Sequence, residues 1–344
     1  DAERERRNGP VVAGAGCLAR DSVATMQTHT PCICPVGGSF MSRVVITVSL
    51  FLLTLSTSLH AEDWYPSKWG KDDTIGAANL VTPERILAAT KLVKTGKRYA
   101  LGQVTSRKTP AFGTRSFELF AVSHGGVWMG VGSQIDGLGH VGINHVYYNG
   151  NHVRDFFSSG GLKKLGTHDI PPIVARGVVL DILGYLRESA PDTVMTVDGI
   201  DMLVAGTAIN QAEIDGALKR QGISLAAGDV VLLHTGYMEM ADIDVERYKK
   251  SIPGLGVEGA KYLAGFDPIA VGADTFAVEV LPFENPENAF EVHLELIPKR
   301  GIYILENMVT RELVADKAWE FMFVLGQARM QGAVQMIINP VAIR

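Results

Sequence analysis

Between residues 133 and 145 the chain reads Ser133-Gln134-Ile135-Asp136-Gly137-Leu138-Gly139-His140, with a further histidine at His145. Gln134 and Asp136 are two residues apart, so on an extended backbone their side chains leave the same face. Gly137 and Gly139 then permit a turn sharp enough to bring His140 beside them. An amide oxygen, a carboxylate and an imidazole at one spot can hold a cation or move a proton. The same residues also read as a polar turn whose aspartate caps a neighbouring segment. What lies further along the chain has to decide.

The elements that would position this stretch are legible as short β-branched runs, each opened by a turn residue. They are Gly177 to Asp181, Gly228 to His234, Pro268 to Asp274 and Gly301 to Glu306. Apolar runs this continuous predict strands covered on both faces. They close on Asp181, His234, Asp274 and Glu306, and strand ends are where α/β proteins collect their sites. One helix is signalled by Thr82 as cap, Pro83 at the first position and an inner face of Ile86, Leu87, Ala89, Thr90 and Val93, with Gly96 as its stop. A second starts at Asn210, with Glu213 as capping-box partner, and runs to Gly222. The stretch from Trp319 to Ile338 reads as paired strands. No linker divides residues 62–344, which predicts a single α/β domain there.

Composition narrows the function classes. At 47% hydrophobic and 20% charged the 344 residues can build a sizeable core. The net charge of −5 comes without a basic block, which argues against nucleic acid or an anionic membrane as partner. Residues 1–40 begin without Met and show no period; they read as sequence upstream of a start at Met41. From there a positive Met41-Ser42-Arg43, an apolar run from Val44 to Leu55 and a terminal Leu59-His60-Ala61 match a secretory signal over 41–61. That implies a periplasmic or secreted protein. Cys17, Cys32 and Cys34 all precede Met41, so residues 62–344 hold no thiol for catalysis, zinc ribbons or disulfides. Any metal there must sit on His, Asp, Glu or Gln.

Several motifs taken in order resemble one family. Trp69-Gly70-Lys71-Asp72-Asp73-Thr74-Ile75-Gly76-Ala77-Ala78-Asn79-Leu80, Gln134 to His140, His234-Thr235-Gly236-Tyr237, Gly272-Ala273-Asp274-Thr275 and Gly301 to Asn307 are similar to the cyclase family, which includes bacterial kynurenine formamidases and isatin hydrolases. The resemblance covers nearly everything from Trp64 onward. It implies a swivelling β/β/α fold around a metal-bearing pocket and hydrolysis of an amide, lactam or ester. The family's His-x-x-x-His-x-Asp-x-x-x-His falls on Gly130, Gln134, Asp136 and His140, so two of its four residues are kept. By the resemblance Gln134, Asp136, His293 and Glu306 are metal ligands and His140 is the general acid/base. This set is a Gln-x-Asp variant, harder than an all-imidazole site and suited to Mn²⁺ as well as Zn²⁺. The resemblance further implies a small-molecule substrate and a homo-oligomer.

The chemistry follows from elementary considerations. A divalent ion lowers the pKa of its water from about 15.7 to about 7 and polarises a carbonyl. His140, ordinarily titrating near about 6.5, can take a proton and return it to the leaving group. His124 could supply a missing ligand, and Trp128, Met129 and Phe112 could wall an aromatic substrate. His145 and His234 read as wall or structural residues, and Glu306 alone could be a buried partner for an arginine such as Arg311. A non-catalytic binding protein that keeps the pocket is the alternative reading. Gly254-Leu-Gly256-Val-Glu-Gly259 matches a dinucleotide fingerprint, but the charged Arg247-Tyr-Lys-Lys-Ser-Ile-Pro253 before it predicts no buried strand to feed the glycines. Residues 62–344 contain no Gly-x-Ser-x-Gly elbow.

Overall fold

Nine strands form one mixed sheet in the computed structural model, which describes residues 64–106, 108–116 and 129–344. The 1–40 and 41–61 segments, the three cysteines, His124 and Trp128 lie outside the described residues. In chain order the strands are β1 (Arg98–Ala100), β2 (Gln134–Asp136), β3 (Ile173–Asp181), β4 (Val230–His234), β5 (Ala270–Ala273), β6 (Tyr303–Glu306), β7 (Glu320–Leu325), β8 (Gln335–Ile337) and β9 (Val341–Ile343). Across the sheet the order is β1-β9-β7-β3-β4-β5-β6-β2-β8. The four central strands β3, β4, β5 and β6 run parallel, and every other pairing in the sheet is antiparallel.

The parallel strands are the four apolar runs. Val178 to Leu180, Val230 to Leu233, Ala270 to Ala273 and Tyr303 to Leu305 are buried along their whole length. Both faces are therefore covered, which is what continuous apolar sequence requires. β7 instead alternates, with Phe321, Phe323 and Leu325 inside and the residues between them half-buried; strands do form between Trp319 and Ile338, but β7 pairs with β3 and β9 and β8 with β2, not with each other.

Helices complete the α/β arrangement. α1 (Pro83–Thr90) starts as expected, with Thr82 Oγ1 accepting from Arg85 N at 3.4 Å. It stops six residues short of Gly96, because Leu92 N and Val93 N bond three residues back, to Ala89 and Thr90, a tightening that unwinds the last turn. α2 (Ile182–Ser189) follows β3 directly, with Asp181 capping Gly184 N at 2.9 Å. α3 (Gln211–Gln221) has its capping box, Glu213 Oε2 accepting from Asn210 N at 2.8 Å, and ends on left-handed Gly222.

The glycine-rich Gly254 to Gly259 stretch corrects one expectation. A buried two-residue strand, Gly254–Leu255, does precede α4 (Val257–Ala264). The glycines are nonetheless accounted for by close packing. A Cβ on Gly254 would stand 2.5 Å from the Glu279 backbone, and one on Gly259 would stand 2.3 Å from Ile209 O.

Candidate metal-binding active site

Three neighbouring strands carry the polar face of the site. β2 lies between β6 and β8, with Gln134 opposite Glu306 and Asp136 opposite Gln335. Directly opposed residues of antiparallel strands share a face, as do residues two apart. Register alone therefore sets Gln134, Asp136, Glu306 and Gln335 side by side. Gln134 Nε2 donates to Glu306 Oε2 at 2.6 Å, and Gln335 Nε2 donates to Asp136 Oδ1 at 2.7 Å.

His140 and His293 close over this face. After β2 the chain turns, His140 N bonding Gly137 O at 3.0 Å. The glycines serve close approach here, since a Cβ on Gly139 would meet Leu162 Cδ1 at 2.4 Å. His140 Nε2 comes within 3.8 Å of Asp136 Oδ2. His293 lies on the short helix α5 (Glu291–Leu294), which continues into a wider turn over Glu295–Lys299. Its Nε2 is 3.8 Å from Asp136 Oδ2 and 3.4 Å from Glu306 Oε1. The clusters near 134–140 and 293–306 thus meet. Ligand atoms of Asp136, His140 and His293 all lie within 4.8 Å of one another.

Glu279 is a residue that the sequence did not single out. Its Oε2 accepts from Val292 N at 3.0 Å and its Oε1 stands 3.3 Å from His293 Nδ1. A carboxylate there places the ring proton on Nδ1 and leaves Nε2 facing Asp136 and Glu306. Gln335 was also missed. It occupies the space in front of Gly130, where a Cβ would come within 2.5 Å of its Oε1. The position at which the family has its first histidine is thereby filled from another strand. A lone acid in the apolar Val278-Glu279-Val280 and an amide facing Asp136 are weak signals, and only the fold gives them meaning.

The electrostatics favour a bound cation. Asp136, Glu279, Glu306 and His293 are each at most 4% exposed, so three carboxylates face one imidazole with no lysine or arginine in direct contact among the described residues. Burial, and then the Asp136 charge, push the Glu306 carboxyl above its ordinary range. Burial works against charge on His293, but Glu279 and Glu306 outweigh it and raise its pKa. His140 is shifted the other way: burial lowers its pKa, Asp136 offsets this in part, and His293 and Arg115 add to the lowering. Asp136 Oδ2 is buried and has no hydrogen-bond partner. An orphaned carboxylate oxygen between two imidazoles is costly unless something positive sits against it.

Beside these groups opens a cavity of about 250 Å³, walled by Phe112, Phe276, Phe290 and Leu281, with His140, His293 and Glu306 at its polar end. Phe112 stacks on Phe276 at 6.3 Å and meets Phe290 edge-on at 6.0 Å. Arg115 also lines it, its guanidinium donating to Gly130 O at 3.3 Å. Met129 packs against the main core instead. His145 is exposed and stands 6.2 Å from His152, away from the cavity. Arg311 pairs with Glu239 at 3.0 Å, so it is no partner for Glu306.

The family model described as "Putative cyclase" matches residues 99–280, more than half of the chain. A solved structure described as a novel cyclase is 28% identical, with a TM-score of 0.70 over 82% of this chain and 97% of that one. Isatin hydrolase A from Ralstonia solanacearum shares the fold at 16% identity and a TM-score of 0.51, covering 76% of this chain and 98% of its own. An isatin hydrolase bound to the product analogue thioisatinate gives 15% and 0.51 over the same shares. No curated protein matches the chain. The family match over more than half of the chain leads to one conclusion: this chain belongs to the cyclase family.

Proposed function

We propose that the protein is a metal-dependent hydrolase of a small, ring-bearing amide, lactam or ester. One observation carries the reading: Asp136 Oδ2, fully buried and unpartnered, faces His140 Nε2 and His293 Nε2 at 3.8 Å each. Asp136, His293 and Glu306 would hold the ion, joined by Gln134 once its amide turns about its terminal bond to present oxygen in place of nitrogen. That donor set mixes imidazole with hard oxygens and suits Mn²⁺ as well as Zn²⁺. A divalent ion supplies an acidified water and a polarised carbonyl when bound.

The chain's own residues do the rest. Glu279 fixes the His293 ring, and Gln335 holds the Asp136 carboxylate by one oxygen. His140, kept neutral chiefly by burial, accepts the proton of the attacking water at Nε2 and returns it to the leaving nitrogen or oxygen. The phenylalanine wall excludes water and takes a planar ring. Residues 41–61 make export to the periplasm or medium part of the same proposal.

Metal content of purified protein, followed by turnover of N-aryl formamides, lactams and lactones with Zn²⁺ or Mn²⁺, tests it. The expected result is about one ion per chain, lost in Asp136→Asn, and a rate that falls at least about 100-fold in His140→Ala. A protein that binds no ion, or one whose rate ignores His140, refutes the proposal and leaves a non-catalytic binding protein.

A further inference from the structure

A second polar centre lies at the end of β4, apart from the groups discussed so far. His234 Nδ1 is 2.8 Å from Thr310 Oγ1 and 3.2 Å from Asp274 Oδ2. Asp274 cannot turn away, because it accepts from Thr235 N, Gly236 N and Thr235 Oγ1 at 2.6–3.1 Å. An acceptor-only carboxylate beside Nδ1 places a proton there and fixes the ring. No hydrogen bond within the described residues reaches Nε2. Water can reach Nε2, so that nitrogen is open to a ligand.

The remaining ring edge forms part of the wall of a cavity of about 420 Å³. Its lining shares no residue with the cavity beside His140. Leu183, Ile200, Met238 and Val309 give it an apolar body. At its mouth Arg187 pairs with Asp201 and Arg311 with Glu239, each at 3.0 Å. Both arginines are largely exposed and already face carboxylates, so the buried, fixed donor is His234. Burial opposes its protonation, but the Asp274 hydrogen bond and charge outweigh burial and raise its pKa. An apolar patch beside a pre-oriented donor, with Asp274, Thr310 and the two ion pairs completing the lining, is the mixture that small-molecule sites consist of.

We infer that this cavity is a second ligand site, taking a small monocarboxylate with a short apolar body, its carboxylate accepting from His234 Nε2. The site is independent of the proposed hydrolysis: it uses none of the metal or proton-transfer residues.

Benzoate and its neutral isostere benzamide, titrated calorimetrically into the full chain and into His234→Gln and His140→Gln, test the assignment. Benzoate should bind about tenfold or more tighter than benzamide, and lose about tenfold or more in His234→Gln while keeping its affinity in His140→Gln. Equal binding of the two probes, no binding of benzoate, or dependence on His140 in place of His234 overturns it. Should His234→Gln fail to fold, wild-type crystals soaked in 4-bromobenzoate decide. A bromine anomalous peak in this cavity with the carboxylate at His234 Nε2 supports the site, and its absence there refutes it.

Discussion

Glu279→Gln separates an orienting carboxylate from a merely structural one. The substitution keeps size and shape, and the amide oxygen can still accept one hydrogen bond. What disappears is the charge 3.3 Å from His293 Nδ1, and with it the attraction that keeps Nε2 pointed at Asp136 and Glu306. Loss of such an outer carboxylate typically weakens metal binding about 10- to 100-fold, roughly 1.4–2.7 kcal/mol. In the metal-free protein the same carboxylate favours the protonated His293 ring, so the variant should also unfold at somewhat lower urea, while chelator competition reports weaker Zn²⁺ or Mn²⁺ binding. A purely structural Glu279 would lower metal-free stability and leave the affinity unchanged, and that outcome would refute the reasoning.

Two further expectations concern the frame. In Gly177→Ala the new methyl would meet the Phe321 ring at 2.1 Å across the β3–β7 pairing. Overpacking of this kind costs about 1–3 kcal/mol, so thermal unfolding should shift down by several degrees, and an unchanged midpoint would show that Phe321 can swing aside. Glu295, 3% exposed at its side chain, bonds Lys299 at 3.1 Å and Arg300 at 3.0 Å. Burial would raise its pKa, but these two cations outweigh it and lower it. Since the folded value lies below the unfolded one, its contribution is present above about pH 4.5 and is lost as pH falls through the depressed value. Urea midpoints of wild type and Glu295→Gln should differ at pH 7 and converge in strong acid; a gap that persists there would mean the charge is not responsible.

Much of this architecture is legible in the sequence wherever one local signal dominates. Four apolar runs became the parallel strands, because residues buried on both faces leave no room for alternation. Asn210 with Glu213 and Gly222 marked both ends of α3. Gln134 and Asp136 advertised a shared face by spacing alone. The rest depended on partners distant in the chain. Gln335 meets Asp136 across 199 residues, and Glu279 matters because helix α5 brings His293 to it. The Gly254 to Gly259 glycines mimic a phosphate loop in sequence, yet answer to the backbones of residues 209 and 279.

The strand bearing Asp136 is hemmed in on both sides by antiparallel neighbours, whereas Phe112 and Arg115 come from an irregular segment. The acidic donors consequently keep spacings that the backbone ladder sets. The segment that supplies Phe112 and Arg115 is under no such constraint, so substitutions there can reshape the cavity without moving Asp136 or Glu306.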